Sequence, residues 1–159
     1  MKKFNIKAAF VIASIALMIS LLTGCGGKTP VSTADFENVA NQKGYVVQDG
    51  TDYFADYDYI KLATLAAPEN KSFQIEFYEL NDEAVAKSFF DSNKSNFAMM
   101  RVDDCVEVAD SGKNYDVYKL EMYDKFMMVE RVGKTVVYVH TTDASNKESI
   151  ESFLTEIKY

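Results

Sequence analysis

Tryptophan is missing from this chain, histidine occurs once, and cysteine occurs twice, at Cys25 and Cys105. Two cysteines allow at most one bridge and build no disulfide framework, so the folded part must be held by its core. A single histidine, His140, without a Cys/His cluster, argues against a zinc or transition-metal centre. No phosphate-cradling glycine loop, Cys-x-x-Cys pair or Gly-x-Ser-x-Gly elbow is present, which removes the common nucleotide, redox and hydrolase signatures. Positive charge is also short. Seventeen Lys and Arg face twenty-four Asp and Glu, for a net charge of −7. Nucleic acid demands the opposite balance.

What is there begins at the N-terminus. Lys2, Lys3 and Lys7 precede an apolar run from Ala8 to Leu22, broken only by Ser14 and Ser20. At about 15 residues the run is short of the ~20 a spanning helix needs. A basic start, apolar middle and small-residue end mark a secretory signal. The segment closes on Leu22-Thr23-Gly24-Cys25, which resembles the lipobox of bacterial lipoproteins. That resemblance covers residues 1–25 and implies three things. Cys25 carries a diacylglycerol on its sulfur, the Gly24–Cys25 bond is cleaved, and Cys25 becomes the mature N-terminus. The expected location is the extracytoplasmic face of the cell membrane, attached through palmitate-type acyl chains without spanning. Residues 1–24 hold three lysines and no acids, so the other 135 residues carry −10 against −7 for the whole chain. A domain so acidic is repelled by anionic head groups, which leaves the lipid as the membrane partner. The tether from Gly26 to Ser32 reaches at most about 25 Å.

The remainder shows no repeat, low-complexity tract or internal linker, and residues 32–159 read as one α+β domain. A helix is expected over Thr33–Lys43, with Ser32 and Asp35 as a capping box and Gly44 as its stop. A short strand at Tyr45–Val47 leads to a polar turn through Asp49-Gly50-Thr51-Asp52. Strands follow at Tyr57–Ala66 and Ser72–Leu80. In the second, Phe73, Ile75 and Phe77 alternate with Gln74, Glu76 and Tyr78, giving one buried and one wet face. A helix over Asp82–Ser95 turns Val85, Ala86, Phe89 and Phe90 inward. Four strands come next, Val102–Val108, Tyr115–Tyr123, Phe126–Val132 and Thr135–Thr141, with Gly133-Lys134 as a tight hairpin. The last helix, Lys147–Lys158, starts with a Ser145/Glu148 capping box. The pairs Met99-Met100 and Met127-Met128 are read as core fillers. The order α-β-β-β-α-β-β-β-β-α implies an antiparallel, meandering sheet packed with three helices. It resembles small extracytoplasmic folds of the PsbP/Mog1-like or cystatin/NTF2-like groups, and small lipoproteins of Gram-positive bacteria.

Cys105 and His140 are the pair to test as nucleophile and base. Cys105 is expected inside a strand and is flanked by Asp103, Asp104 and Glu107, the wrong charge for a nucleophilic thiolate. A structural thiol and a strand-end imidazole are the plainer readings. The stretch Asp49–Tyr59 holds four carboxylates, but not at the offsets of a calcium loop, and reads as a solvated acidic loop. Tyrosine is the better lead. Of ten tyrosines, Tyr53, Tyr57, Tyr59 and Tyr78 fall near one hairpin and form a candidate aromatic binding surface. The residues point to a non-catalytic binding or accessory module without cofactor or metal, facing an envelope protein or peptide. An envelope enzyme of unrecognised class, or a structural subunit with a large apolar patch, are the alternatives. The enzyme reading loses its best residues if Cys105 and His140 stand apart.

Overall fold

The structure, a computed structural model, describes residues 27–159. The signal segment, Gly24 and Cys25 lie outside the described residues. The fold is α+β: three helices on a seven-stranded sheet in which every pairing is antiparallel. Helix α1 (Thr33–Gln42) is followed by β1 (Val46–Asp49), β2 (Ile60–Ala67) and β3 (Ile75–Leu80). Helix α2 (Glu83–Met99) precedes β4 (Val106–Ser111), β5 (Tyr115–Met122), β6 (Lys125–Val132) and β7 (Thr135–Thr141), and α3 (Lys147–Ile157) closes the chain. The element order expected from the sequence is the one observed.

Two meanders make the sheet, in the order β1-β2-β3-β7-β6-β5-β4. The seam is β3 against β7, with Glu76 opposite Tyr138 and Phe77 opposite Val137. Helix α2 carries the chain from one meander to the far edge of the other.

Local chemistry explains the helix ends. Ser32 Oγ accepts from Asp35 N at 3.1 Å and caps α1. Gly44, at φ +72°, ends it in a Schellman arrangement: Tyr45 N donates to Ala40 O and Gly44 N to Asn41 O. Asp82 caps α2 by accepting from Val85 N at 2.8 Å. The capping box expected at α3 does not form. Asp143 instead accepts from Ser145 N and caps a short 3-10 turn, Ala144–Asn146, that runs into the helix. Aspartate outcompetes serine here because its charged Oδ1 takes both the Ser145 amide, at 3.0 Å, and the Ser145 hydroxyl, at 2.6 Å.

The core has two halves, one on each side of the sheet. On one side Phe36 and Ala40 of α1 and Ile150, Phe153, Leu154 and Ile157 of α3 pack on Ile75, Phe77, Phe126, Met128, Val137 and Val139. On the other, Ala86, Phe90 and Phe97 of α2 pack on Leu80, Tyr118, Leu120, Met127, Val129 and Val136. Strand β6 is therefore buried on both faces, and Met127-Met128 fill the core, one to each side.

Several expectations need correcting. Helix α2 runs on to Met99, which leaves Met99 78% exposed and Met100 exposed beside it, so that pair is not core. Cys105 precedes β4 rather than sitting inside a strand, because the chain turns at Asp103-Asp104 before pairing begins. The polar segment after β1 folds into a 3-10 turn, Thr51–Phe54. Tyr78, placed on a wet face by alternation, is only 3% exposed, since α2 and that 3-10 turn close over it. The tether is also shorter than its residue count. Lys28 N donates to Asn114 Oδ1, Asn114 Nδ2 returns a bond to Lys28 O, and the Lys28 ammonium pairs with Glu130.

Candidate functional site

Three helices cannot cover both faces of a sheet this wide. Helix α1 lies over β1, β2 and β3, and α3 lies beside it on the same face, over the second meander. Helix α2 covers β5, β6 and β7 on the opposite face. It reaches β3 where Phe89 meets Tyr78, which leaves the half-face on the α2 side of β1 and β2 with no α-helix on it, only the Thr51–Phe54 turn. The register confirms the exposure: Val47 packs toward α1, while its neighbours Val46 and Gln48 point to solvent on the open side.

A groove of about 950 Å³ occupies this half-face. One wall is α2, presenting Val85, Ser88, Phe89, Ser92, Asn93 and Asn96. The other is the segment after β1, which is tied down by its own polar groups. Asp49 accepts from Thr51 N at 2.9 Å, and the Thr51 hydroxyl first and its amide second hold the Asp49 carboxyl below the usual range. Gly50 N donates to Ala63 O at 2.8 Å and Ala63 N donates to Thr51 Oγ1 at 3.1 Å. So anchored, Phe54 drops edge-on against Tyr78, with ring centres 5.3 Å apart, and Phe89 meets Tyr78 from α2 at 5.1 Å. Tyr57 and Tyr59 pack edge-on at 5.7 Å along the rim.

Glu76 and Tyr138 form the floor at the β3–β7 seam. Gln74 Nε2 donates to Glu76 Oε1 at 2.9 Å, and the Tyr78 hydroxyl donates to its other oxygen. Burial first, and the Glu76 charge second, push the Tyr78 and Tyr138 phenols up, so both rings are neutral at physiological pH. Phe97 stacks on Tyr138 at 5.3 Å and fixes its orientation. A second hollow of about 430 Å³ continues along the same face past Val46, Gln48, Leu65, Ala67 and Gln74 to His140.

The structure brings together three of the four tyrosines singled out in the sequence: Tyr57, Tyr59 and Tyr78 line the groove. Tyr53 does not. It is 67% exposed and turns away to accept a bond from Gln48 Nε2 at 2.6 Å. Glu76, Tyr138, Phe54 and Phe89 were missed as site residues. The signal for Glu76 was available, since alternation places it on the same face as Tyr78. Tyr138 needed the β3–β7 pairing, which no local pattern reveals.

Cys105 and His140 are separated. Cys105 sits at the start of the β4 edge and His140 on β7, three strand spacings or about 14 Å away at the backbone. Cys105 is half-buried against the α2 core, and His140 is exposed. They form no nucleophile–base pair. Asp49, Asp52, Asp56 and Asp58 are all exposed and do not converge. Among the described residues, no three His, Cys, Asp or Glu side chains are grouped as metal ligands.

No family model, curated protein or solved structure matches this chain. The groove is therefore the feature from which function must be argued.

Proposed function

We propose that this chain is a membrane-anchored, extracytoplasmic lipoprotein whose domain is a non-catalytic binding module, and that it binds its target in the groove between α2 and the open half-face of β1 and β2. The observation that carries the reading is the groove itself. A concave, aromatic-lined space with a few fixed polar groups is what a ligand site requires. Its volume lies within the ~300–1,000 Å³ usual for such sites. The Leu22-Thr23-Gly24-Cys25 motif supports the anchor. Among the described residues no helix is long and apolar enough to cross a membrane. The pinning of Lys28 to Asn114 leaves three residue steps to Cys25, a reach of about 10 Å. The end of the domain that carries the Ser111–Asn114 and Gly133-Lys134 turns would then face the membrane.

Photo-crosslinking tests the binding reading in cells that make the lipidated protein. A photoreactive residue at Ser92, inside the groove, should give a defined adduct by intact mass, and one at Asn38 on α1 should not. Equal adducts at both positions, no adduct at Ser92, or hydrolase activity of the purified protein that depends on Cys105 would overturn it. The anchor has a separate check. Cys25→Ser should abolish palmitate incorporation and leave uncleaved precursor, and continued labelling of that variant would refute lipidation at Cys25.

A further inference from the structure

Five glutamates among the described residues sit on strands: Glu76, Glu79, Glu107, Glu121 and Glu130. Four of them end in an ion pair. Glu79 meets Lys134 at 2.7 Å, Glu107 meets Arg101 at 2.8 Å, Glu121 meets Lys147 at 2.6 Å, and Glu130 meets Lys28. Glu76 alone has no cation, although it is half-buried at the groove floor. Its two partners, Gln74 and Tyr78, are neutral donors that fix the carboxylate without balancing its charge. No Lys, Arg or His lines the groove. The other carboxylate there, Asp82, is already committed to the N-terminus of α2.

A half-buried carboxylate with no cation beside it favours a ligand that brings a counter-charge. The surroundings specify what kind. Tyr78 and Tyr138 flank Glu76, and Phe54 and Phe89 press on Tyr78. Aromatic faces around an acidic group attract a weakly hydrated organic cation through the ring quadrupole. A metal ion would need more oxygen ligands than one carboxylate supplies. An anion would meet no positive side chain at all.

We propose, on the basis of the binding reading above, that the groove takes a small organic cation bearing an alkylated ammonium group. Glu76 answers its charge, the half-buried ring of Tyr138 contacts its alkyl groups, and Ser88, Ser92 and Asn96 of α2 bond the polar remainder of the molecule.

Calorimetry on the lipidated protein in non-ionic detergent tests this with choline and its uncharged isostere 3,3-dimethylbutan-1-ol. Choline should bind about tenfold or more tightly than the isostere. Glu76→Gln removes the charge while its amide oxygen still accepts from Gln74 and its NH2 can donate to the Tyr78 oxygen, so it should weaken choline about tenfold and close the gap between the probes. Tyr138→Leu provides an independent arm and should weaken choline more than the isostere. Tyr53→Ala, outside the groove, should change nothing. Equal binding of the two probes, full affinity in Glu76→Gln, or no choline binding would overturn the cation assignment. Each of these leaves the binding module standing if the Ser92 adduct forms, whereas loss of that adduct removes the module itself.

Discussion

At the scale of single residues, polar groups inside this protein are either paired or informative. Arg131 and Asp116 face each other across β5 and β6, buried, with Arg131 Nε donating to Asp116 Oδ2 at 2.7 Å and Nη1 donating to Gly133 O at 2.9 Å. Removing one partner strands a buried charge. Asp116→Ala should therefore lower stability by about 3 kcal/mol in urea unfolding, and an unchanged midpoint would contradict the pairing. Tyr118 is the converse case. Its hydroxyl is the one buried side-chain polar atom among the described residues without a hydrogen-bond partner. Burial pushes its phenol up, and the Glu107 carboxylate lies nearby without meeting hydrogen-bond geometry. Tyr118→Phe discards an unsatisfied group while keeping the ring, so stability should hold or rise by about 1 kcal/mol. A loss of that size would mean that the hydroxyl is bonded in solution.

At the scale of elements, type and order were legible because the patterns are local. The Phe73–Phe77 alternation, the Ile150, Phe153, Leu154, Ile157 stripe and the Gly133-Lys134 hairpin each declare themselves within a dozen residues. What stayed hidden depends on partners distant in sequence. Nothing near Tyr138 announces that β3 pairs with β7, and nothing in α2 states that it crosses to the far meander and leaves β1 and β2 without an α-helix on that side. Tyr78 looked wet for the same reason, since its cover comes from α2 and the Thr51–Phe54 turn. Strand β4 shows how an edge is managed. All six of its residues are exposed, and Val106 and Val108 are large and apolar. Glu107 and Asp110 put one carboxylate on each face of the strand, and a copy pairing along this edge would have to pack against both. Glu107→Val with Asp110→Val should therefore convert a monomer into dimers or larger species by light scattering. A variant that stays monomeric would show that these charges do not guard the edge.

At the scale of the whole molecule, the burial of tyrosine couples stability to alkaline pH. Burial raises the phenols of Tyr78, Tyr138 and Tyr159, as it does that of Tyr118. In the unfolded chain tyrosine ionises near about 10. Below that pH neither state loses phenolic protons and stability is intact. Above it the unfolded chain releases protons that the native fold retains, so stability falls as the pH rises from about 10 toward 12. Urea midpoints followed alongside tyrosinate absorbance should fall over that window, with the buried phenols ionising only on unfolding. Ionisation of all ten near pH 10 with no loss of stability would contradict the burial. The larger consequence of the architecture is geometric. Two helices cover one face, one helix covers half of the other, and the remaining quarter holds the aromatic groove with Glu76 at its floor. Amide shift mapping by NMR during a titration with tetramethylammonium tests that claim most directly. Perturbations centred on Glu76, Tyr78, Tyr138 and the Ser88–Asn96 stretch of α2 are the predicted result; shifts spread over α1 and α3, or along the β4 edge, would contradict it.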